Sequence, residues 1–208
     1  MKDPQGEFKY NLESCIVLSQ PEAPIFSEAL NALDNYLIPH FKDAILSCPQ
    51  SHPLRVLNVQ SMARARFQRY RLAGQQDDLE QSILHYTEAI LYPLPWDENC
   101  RSVTQIFFQI TLALAHRAKA SKQPDDVERS LSYIRYLRGL PPETLDIEPI
   151  SLKEVHLGAL GSHADLGLGD VMRDIEEMAD LCYEHLLDFD TSPAVAATAI
   201  KFMALINS

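Results

Sequence analysis

A six-residue pattern that returns along the chain constrains the fold more than any other feature. Asp78-Leu79-Glu80-Gln81-Ser82-Ile83 is followed 48 residues later by Asp126-Val127-Glu128-Arg129-Ser130-Leu131, and a fainter copy begins 44 residues further on, at Asp170. Internal repetition at a period of about 20 to 50 residues is typical of proteins built from stacked structural units. The sequence therefore predicts three copies of one unit.

Each copy follows a helical segment that ends in a turn, so the predicted unit is a helix hairpin. The first helix carries one apolar stripe at steps of three or four residues, formed by Val56, Val59, Ala63, Phe67 and Tyr70. Gly74 is expected to close this helix, and Asp77 or Asp78 to cap the next. The predicted fold is all-α, a right-handed α-solenoid of antiparallel hairpins that bury their apolar stripes against neighbouring hairpins.

Proline and glycine residues set the predicted boundaries. We expect a loosely ordered N-terminal arm at residues 1–25 and a repeat domain at residues 26–208. The domain is divided into units at 26–50, 53–95, 100–142 and 151–188, with a capping helix at 192–207. Pro39 is expected to kink or divide the helix of the first, divergent unit. Gly158 and Gly161 lie within a predicted helix, and each lowers its helix propensity by about 1 kcal/mol relative to alanine. Close packing against another helix is expected to offset this cost.

Composition narrows the class of protein. With 208 residues, 46% of them hydrophobic, the chain can bury its core as one elongated domain or as two poorly separated lobes. The net charge of −11 disfavours a general role in binding nucleic acid or anionic membranes. Four widely spaced cysteines with no C-x-x-C pair favour a reduced compartment, and we expect a cytoplasmic location. The apolar runs are too short to cross a bilayer, and no cofactor is expected.

The second helix of each unit resembles that of tetratricopeptide (TPR) repeats. In that family it carries a small residue, an apolar residue, an aromatic residue, a second small residue and a following proline. The matching residues are Ser82, Ile83, Tyr86, Ala89 and Pro93 or Pro95 in one unit, Ser130, Leu131, Ile134, Leu137 and Pro142 in the next, and a degenerate Asp174, Ile175, Met178 and Leu181 in the third. Spacings of 48 and 44 exceed the usual period of about 34 residues, so the helices or turns must be longer than in standard repeats.

One unit resembles more closely the long TPR-like arrays of fungal proteins. The residues that match are His52-Pro53-Leu54-Arg55, Leu57-Asn58, Arg66-Phe67, Gly74 and Asp78-Leu79. The resemblance implies a non-catalytic scaffold that binds a protein or peptide on its concave face. Such arrays are often joined to a caspase-like CHAT protease domain. The alternative function is therefore a regulatory or recruitment array that acts with a CHAT protease or NTPase located elsewhere in a larger protein or complex.

A column of polar residues forms the predicted partner-binding site. TPR-like arrays bind along the first helix of each hairpin, so the relevant positions are those that lie off the core stripe. The offset of 48 residues aligns residues 61, 68 and 71 with 109, 116 and 119, and the offset of 44 extends the column into the third unit. The basic character of the column suits an acidic segment or a carboxylate terminus, although ordinary solvated positions would give the same pattern. The predicted residues are Asn58, Ser61, Gln68, Arg71, Gln109, His116, Lys119, Lys153 and His163.

Four arginines between residues 64 and 71 form a local basic run. On a helix, Arg66 and Arg69 flank one side of the core stripe, while Arg64 and Arg71 flank the other. We therefore favour a solvated or ion-paired surface over a nucleic-acid contact.

A tryptophan and two Cys–His pairs are the remaining candidates. Trp96, in a proline-rich loop, is interpreted as a plug between hairpins, with an interface anchor as the alternative. Cys48 with His52, and Cys182 with His185, have spacings that permit a metal site or a thiolate–imidazole pair. Because neither pair has further ligands or an orienting carboxylate nearby in the sequence, we predict no catalytic or metal-binding residue.

Overall fold

The computed structural model describes residues 24–50, 52–92, 100–145, 147 and 149–186. Every regular element in these ranges is a helix, which confirms the all-α prediction for this part of the chain. The chain divides into two compact units, Met1–Ala89 and Ile90–Ser208. Nearly all of the predicted arm, the loop that contains Trp96 and the predicted capping helix lie outside the described residues.

The described part of the first unit begins with two helices joined by a π-helical turn. Helix α1 spans Pro24–Ala32, the turn spans Leu33–Leu37, and helix α2 spans Ile38–Ser47. In an ordinary α-helix, the ring of Pro39 would clash with the carbonyl group four residues earlier. The wider turn, in which the Ile38 amide donates to the Leu33 carbonyl, precedes this proline. The discontinuity expected at Pro39 is thus a π-helical turn just before it.

Helices α3 and α4 form the first helix pair. Helix α3 spans Pro53–Ala73, and the Nδ1 atom of His52 caps its start by accepting a hydrogen bond of 3.2 Å from the Leu54 amide. Gly74 ends α3 in the left-handed conformation (φ +70°), as predicted, and α4 spans Gln76–Leu91. The core stripe is confirmed for four of its five residues and for the facing side of α4, where the buried residues are Val56, Val59, Ala63 and Phe67 with Leu79, Ile83 and Tyr86.

The second unit contains two further pairs that pack on each other. Its described helices are α5 (Cys100–Ser121), α6 (Pro124–Arg138), α7 (Pro149–Asp165) and α8 (Val171–Leu186), with a short 3₁₀ helix at Pro142–Thr144. Helix α7 contacts α5, α6 and α8. All four helices contribute to one buried apolar cluster, which consists of Ala118, Val127, Leu131, Ala159, Leu160, Met178 and Leu181.

The turns within the three pairs differ in length. Two residues separate α3 from α4 and α5 from α6, and Lys122 (φ 52°) occupies the left-handed position that Gly74 occupies in the first pair. Five residues separate α7 from α8, because α7 ends one helical turn earlier than the 48-residue period requires. Gly167 (φ +62°) supplies the left-handed conformation directly after that early end.

The expectation of close helix packing at the two glycines of α7 is wrong. A Cβ atom built on Gly158 or Gly161 meets no atom within 4 Å outside the local backbone. Among the described helices, these glycines therefore lower the helix propensity of α7 without permitting a closer approach of a neighbour.

Candidate functional site

A buried carboxylate at the start of α4 holds the first helix pair together. The prediction that Asp77 or Asp78 caps α4 is wrong, because α4 begins at Gln76 and both aspartates lie inside its first turn. The Asp78 side chain is fully buried and turns towards α3. Arg69 Nε donates to Asp78 Oδ2 at 2.6 Å, and Arg66 Nη1 donates to Asp78 Oδ1 at 2.9 Å. Burial by itself would raise the pKa of Asp78, but the hydrogen bonds from Arg69 and Arg66 outweigh it and hold that pKa below its ordinary value. The carboxylate is therefore ionised at neutral pH.

The same bridge recurs 48 residues later in the second pair. Arg117 Nε donates to Asp126 Oδ2 at 2.7 Å, and Arg117 Nη2 donates to Asp126 Oδ1 at 2.7 Å. Asp126 is only 3% exposed. Two parallel hydrogen bonds between a guanidinium and a carboxylate fix both the distance and the orientation of the two helices.

A histidine replaces the arginine in the third pair. Asp174 lies 48 residues after Asp126, is buried, and is hydrogen-bonded to Nδ1 of His163. Asp170, which the sequence comparison aligned with Asp126, is exposed and instead caps α8 by accepting a hydrogen bond of 3.3 Å from the Arg173 amide. The buried carboxylates therefore recur at a constant 48 residues, and the spacing of 44 is wrong. We call these three bridges the clamps: Arg66 and Arg69 with Asp78, Arg117 with Asp126, and His163 with Asp174.

The predicted partner-binding residues of α3 and α5 lie at equivalent positions of their helices. Arg71, His116 and Lys119, in the C-terminal parts of these helices, are exposed. The others are half-buried, including Gln68, which occupies the position in α3 that the exposed His116 occupies in α5; these residues are Asn58, Ser61, Gln68 and Gln109. The structure thus leaves the distal part of the predicted column accessible on each helix.

The two predicted residues of α7 do not continue that column. A constant period of 48 places residues 157 and 167, rather than Lys153 and His163, in line with Gln109 and Lys119. Lys153 Nζ lies 4.0 Å from Glu184 of α8. His163 is engaged in the third clamp. Both side chains therefore contribute to contacts within the second unit.

The arginines of α3 separate into two groups. Arg66 and Arg69 belong to the first clamp, and Arg55 donates to the carbonyl oxygens of Ile45 (2.8 Å) and Cys48 (3.0 Å), which end α2. Arg64 and Arg71, which lie on the other side of the helix, form no hydrogen bond or ion pair with the described part of the chain. Helical geometry thus predicted correctly which arginines would lie apart from the first clamp.

Two exposed leucines lie on the same side of α3 as Arg64 and Arg71. Leu54 is 55% exposed and Leu57 is 43% exposed. Leu57, Arg64 and Arg71 follow at steps of seven residues, so they lie nearly in line along the helix. We call this surface the α3 face, defined by Leu54, Leu57, Arg64 and Arg71. The leucines were not predicted as site residues, although their position outside the apolar stripe was a usable signal.

A polar network joins the second and third pairs. Arg135 Nη2 of α6 lies 2.6 Å from Glu177 Oε2 of α8, and Nε2 of the buried His156 of α7 lies 3.1 Å from Glu177 Oε1. Arg138 reaches Glu184 at 3.2 Å and His156 Nδ1 at 3.3 Å. Burial lowers the pKa of His156 to about 4, and the nearby arginines counteract the opposite effect of Glu177. The imidazole is therefore neutral at pH 7.

A shallow cavity of about 430 Å³ lies beside this network and has a wholly charged lining. The lining residues are Arg135, Arg173, Glu176, Glu177 and Asp180. Arg135 and Glu177 already form an ion pair there.

The described members of the two Cys–His pairs have contacts that explain them structurally. His52 caps α3 through Nδ1, and burial raises the pKa of the Cys182 thiol, which lowers its reactivity. The side chain of His185 lies outside the described residues. In the described ranges, no three His, Cys, Asp or Glu side chains are arranged to hold a metal ion. No helix within those ranges is long and apolar enough to span a bilayer.

Comparisons with known proteins do not identify a family, so a function can be argued only from the geometry of the chain itself. No protein-family model, curated protein or solved structure matches the sequence or the fold.

Proposed function

We propose that this chain is a non-catalytic, cytoplasmic scaffold of the TPR-like class, which forms right-handed solenoids and binds a protein or peptide partner. The observation that carries the proposal is the constant 48-residue period of clamped helix pairs, with buried carboxylates at Asp78, Asp126 and Asp174. Helical repeat proteins are built by repeating one such helix pair, and they typically present an extended binding surface.

Packing within the second unit supports the same class. Its two pairs share one apolar cluster, and α7 rests on both helices of the preceding pair. In repeat arrays each unit buries its apolar face against its neighbour in this way. The network of Arg135, Arg138, His156 and Glu177 adds polar contacts between the same two pairs.

The binding residues proposed are the accessible members of the predicted column. Arg71 of α3 and Lys119 of α5 are exposed and occupy the same position of the 48-residue period. Each of these two exposed cationic side chains suits a carboxylate of a partner, because a residue on a preformed helix requires little ordering on binding. The expected partner is an acidic protein segment.

Selection of binders by peptide display tests this function whichever protein is the natural partner. The full chain is immobilised, binders are selected from a displayed library of random 20-residue peptides, and their affinities are measured by fluorescence anisotropy. We expect acidic peptides to be selected, and Arg71→Glu and Lys119→Glu each to weaken their binding about tenfold. Lys42→Glu, a charge reversal at an exposed position on α2, is the matched control. Failure to select any specific binder, or unchanged affinity in both variants, would contradict the proposal.

A further inference from the structure

We infer that the α3 face binds an acidic amphipathic helix of a partner protein. This inference rests on the proposed function and specifies the class of partner. The face combines two apolar side chains near the start of α3 with two cationic side chains further along it. A complementary segment therefore carries apolar residues at one end of its contact face and carboxylates at the other.

The apolar end of the face consists of neighbouring side chains. Leu54 and Leu57 are three residues apart, so they lie one helical turn from each other on the same surface of α3. About half of each side chain is in contact with solvent, at 55% and 43% exposure. Isolated exposed leucines are common, but two adjacent ones on the same side of the helix as two arginines form a surface of mixed character that is typical of interfaces.

The two arginines at the charged end of the face indicate that the partner segment is acidic. Arg55, Arg66 and Arg69, which point elsewhere, are each bound to a carboxylate or to backbone carbonyls. In a chain with a net charge of −11, Arg64 and Arg71 still find no carboxylate among the described residues. Carboxylates of a partner segment suit both side chains, because a guanidinium binds a carboxylate through two parallel hydrogen bonds.

The spacing of the face indicates a helical partner. Leu57, Arg64 and Arg71 are separated by seven residues, or about 10 Å of helix at each step. A partner helix that lies along α3 matches these steps with an apolar residue and two acidic residues at positions i, i+7 and i+14. Strand addition is excluded at this surface, because the amide and carbonyl groups inside a helix are already paired and offer no free edge.

The test uses the peptides selected by display on the full chain. We expect them to contain the apolar–acidic–acidic pattern at steps of seven residues, in either chain direction. Leu57→Ser and Arg64→Glu are each expected to weaken binding at least tenfold, while Lys42→Glu leaves it unchanged. Replacing the matching glutamate of the peptide by lysine is expected to restore binding to the Arg64→Glu variant. Far-UV circular dichroism verifies that each variant keeps its helical content.

The outcomes separate this inference from the proposed function. If Lys119→Glu weakens binding but Leu57→Ser and Arg64→Glu do not, the scaffold function stands and the α3 face is the wrong surface. Selected peptides that lack acidic residues, or that bind in an extended form by circular dichroism, overturn the inference. Sedimentation velocity tests whether a second copy of this chain occupies the face instead. A dimer that dissociates in the Arg64→Glu variant would assign the face to self-association and overturn the inference.

Discussion

Breaking the second clamp is expected to destabilise the protein by several kcal/mol. Asp126 is only 3% exposed, and Arg117→Met removes both of its hydrogen bonds of 2.7 Å to the guanidinium. Removing one partner of a buried ion pair costs about 3–5 kcal/mol. Because the arginine side chain is 22% exposed, water already screens the pair, and we expect the lower end, about 3 kcal/mol.

A double-mutant cycle distinguishes the clamp from general loss of packing. In Arg117→Met with Asp126→Leu, no charge is left buried without a partner, and the stability of the double variant is expected to lie within about 1 kcal/mol of the wild type. Urea unfolding at pH 7, followed by far-UV circular dichroism, gives the free energy of unfolding of each variant. Arg129→Met, at a half-buried position of α6, is the control and should change stability by less than about 0.5 kcal/mol. If the two single effects simply add in the double variant, our account of the clamp is wrong.

Three further predictions concern helix propensity, a turn and a buried histidine. Gly158→Ala is expected to raise the free energy of unfolding by up to about 1 kcal/mol, because the added methyl group meets open space; a loss of stability in urea unfolding would contradict this. Lys122→Gly is expected to raise the free energy of unfolding by up to about 1 kcal/mol, because glycine adopts the left-handed backbone at φ 52° without strain. The midpoint of thermal unfolding should rise accordingly, and an unchanged or lower midpoint would contradict this prediction. The folded-state pKa of His156, about 4, is below the ordinary value of 6.5, so between those pH values only the unfolded state gains a proton and stability falls as the pH is lowered. The His156→Gln variant should lose that component, up to about 1.4 kcal/mol per pH unit, and urea unfolding at pH 7 and pH 5 measures it.

Helical periodicity predicted the elements of the described chain well because it reflects burial directly. The stripe from Val56 to Phe67 was confirmed, as was the end of α3 at Gly74, since only a residue that tolerates the left-handed conformation ends a helix in that way. The spacing of 44 was wrong for an equally physical reason. Asp170 and Asp174 both stand near the start of α8, and the sequence does not show which carboxylate is buried.

The site was harder to predict because side-chain partners depend on tertiary contacts. The helical wheel separated Arg64 and Arg71 from the arginines of the clamp, since that division follows from angles around one helix. It could not show that Asp78 turns inward, because an aspartate at the start of a helix is usually a cap. The role of His156 was invisible for the same reason, since its neighbours come from α6 and α8.

The clamps also bear on how the chain folds. Arg117 and Asp126 are only nine residues apart, so their ion pair closes a short loop at small entropic cost. Contacts between close neighbours in sequence favour rapid folding, and each helix pair is expected to form early, before α7 docks on α5 and α6. In the second unit, the pair of α5 and α6 would then be complete before α7 and α8 are synthesised, and it would offer a preformed surface to them.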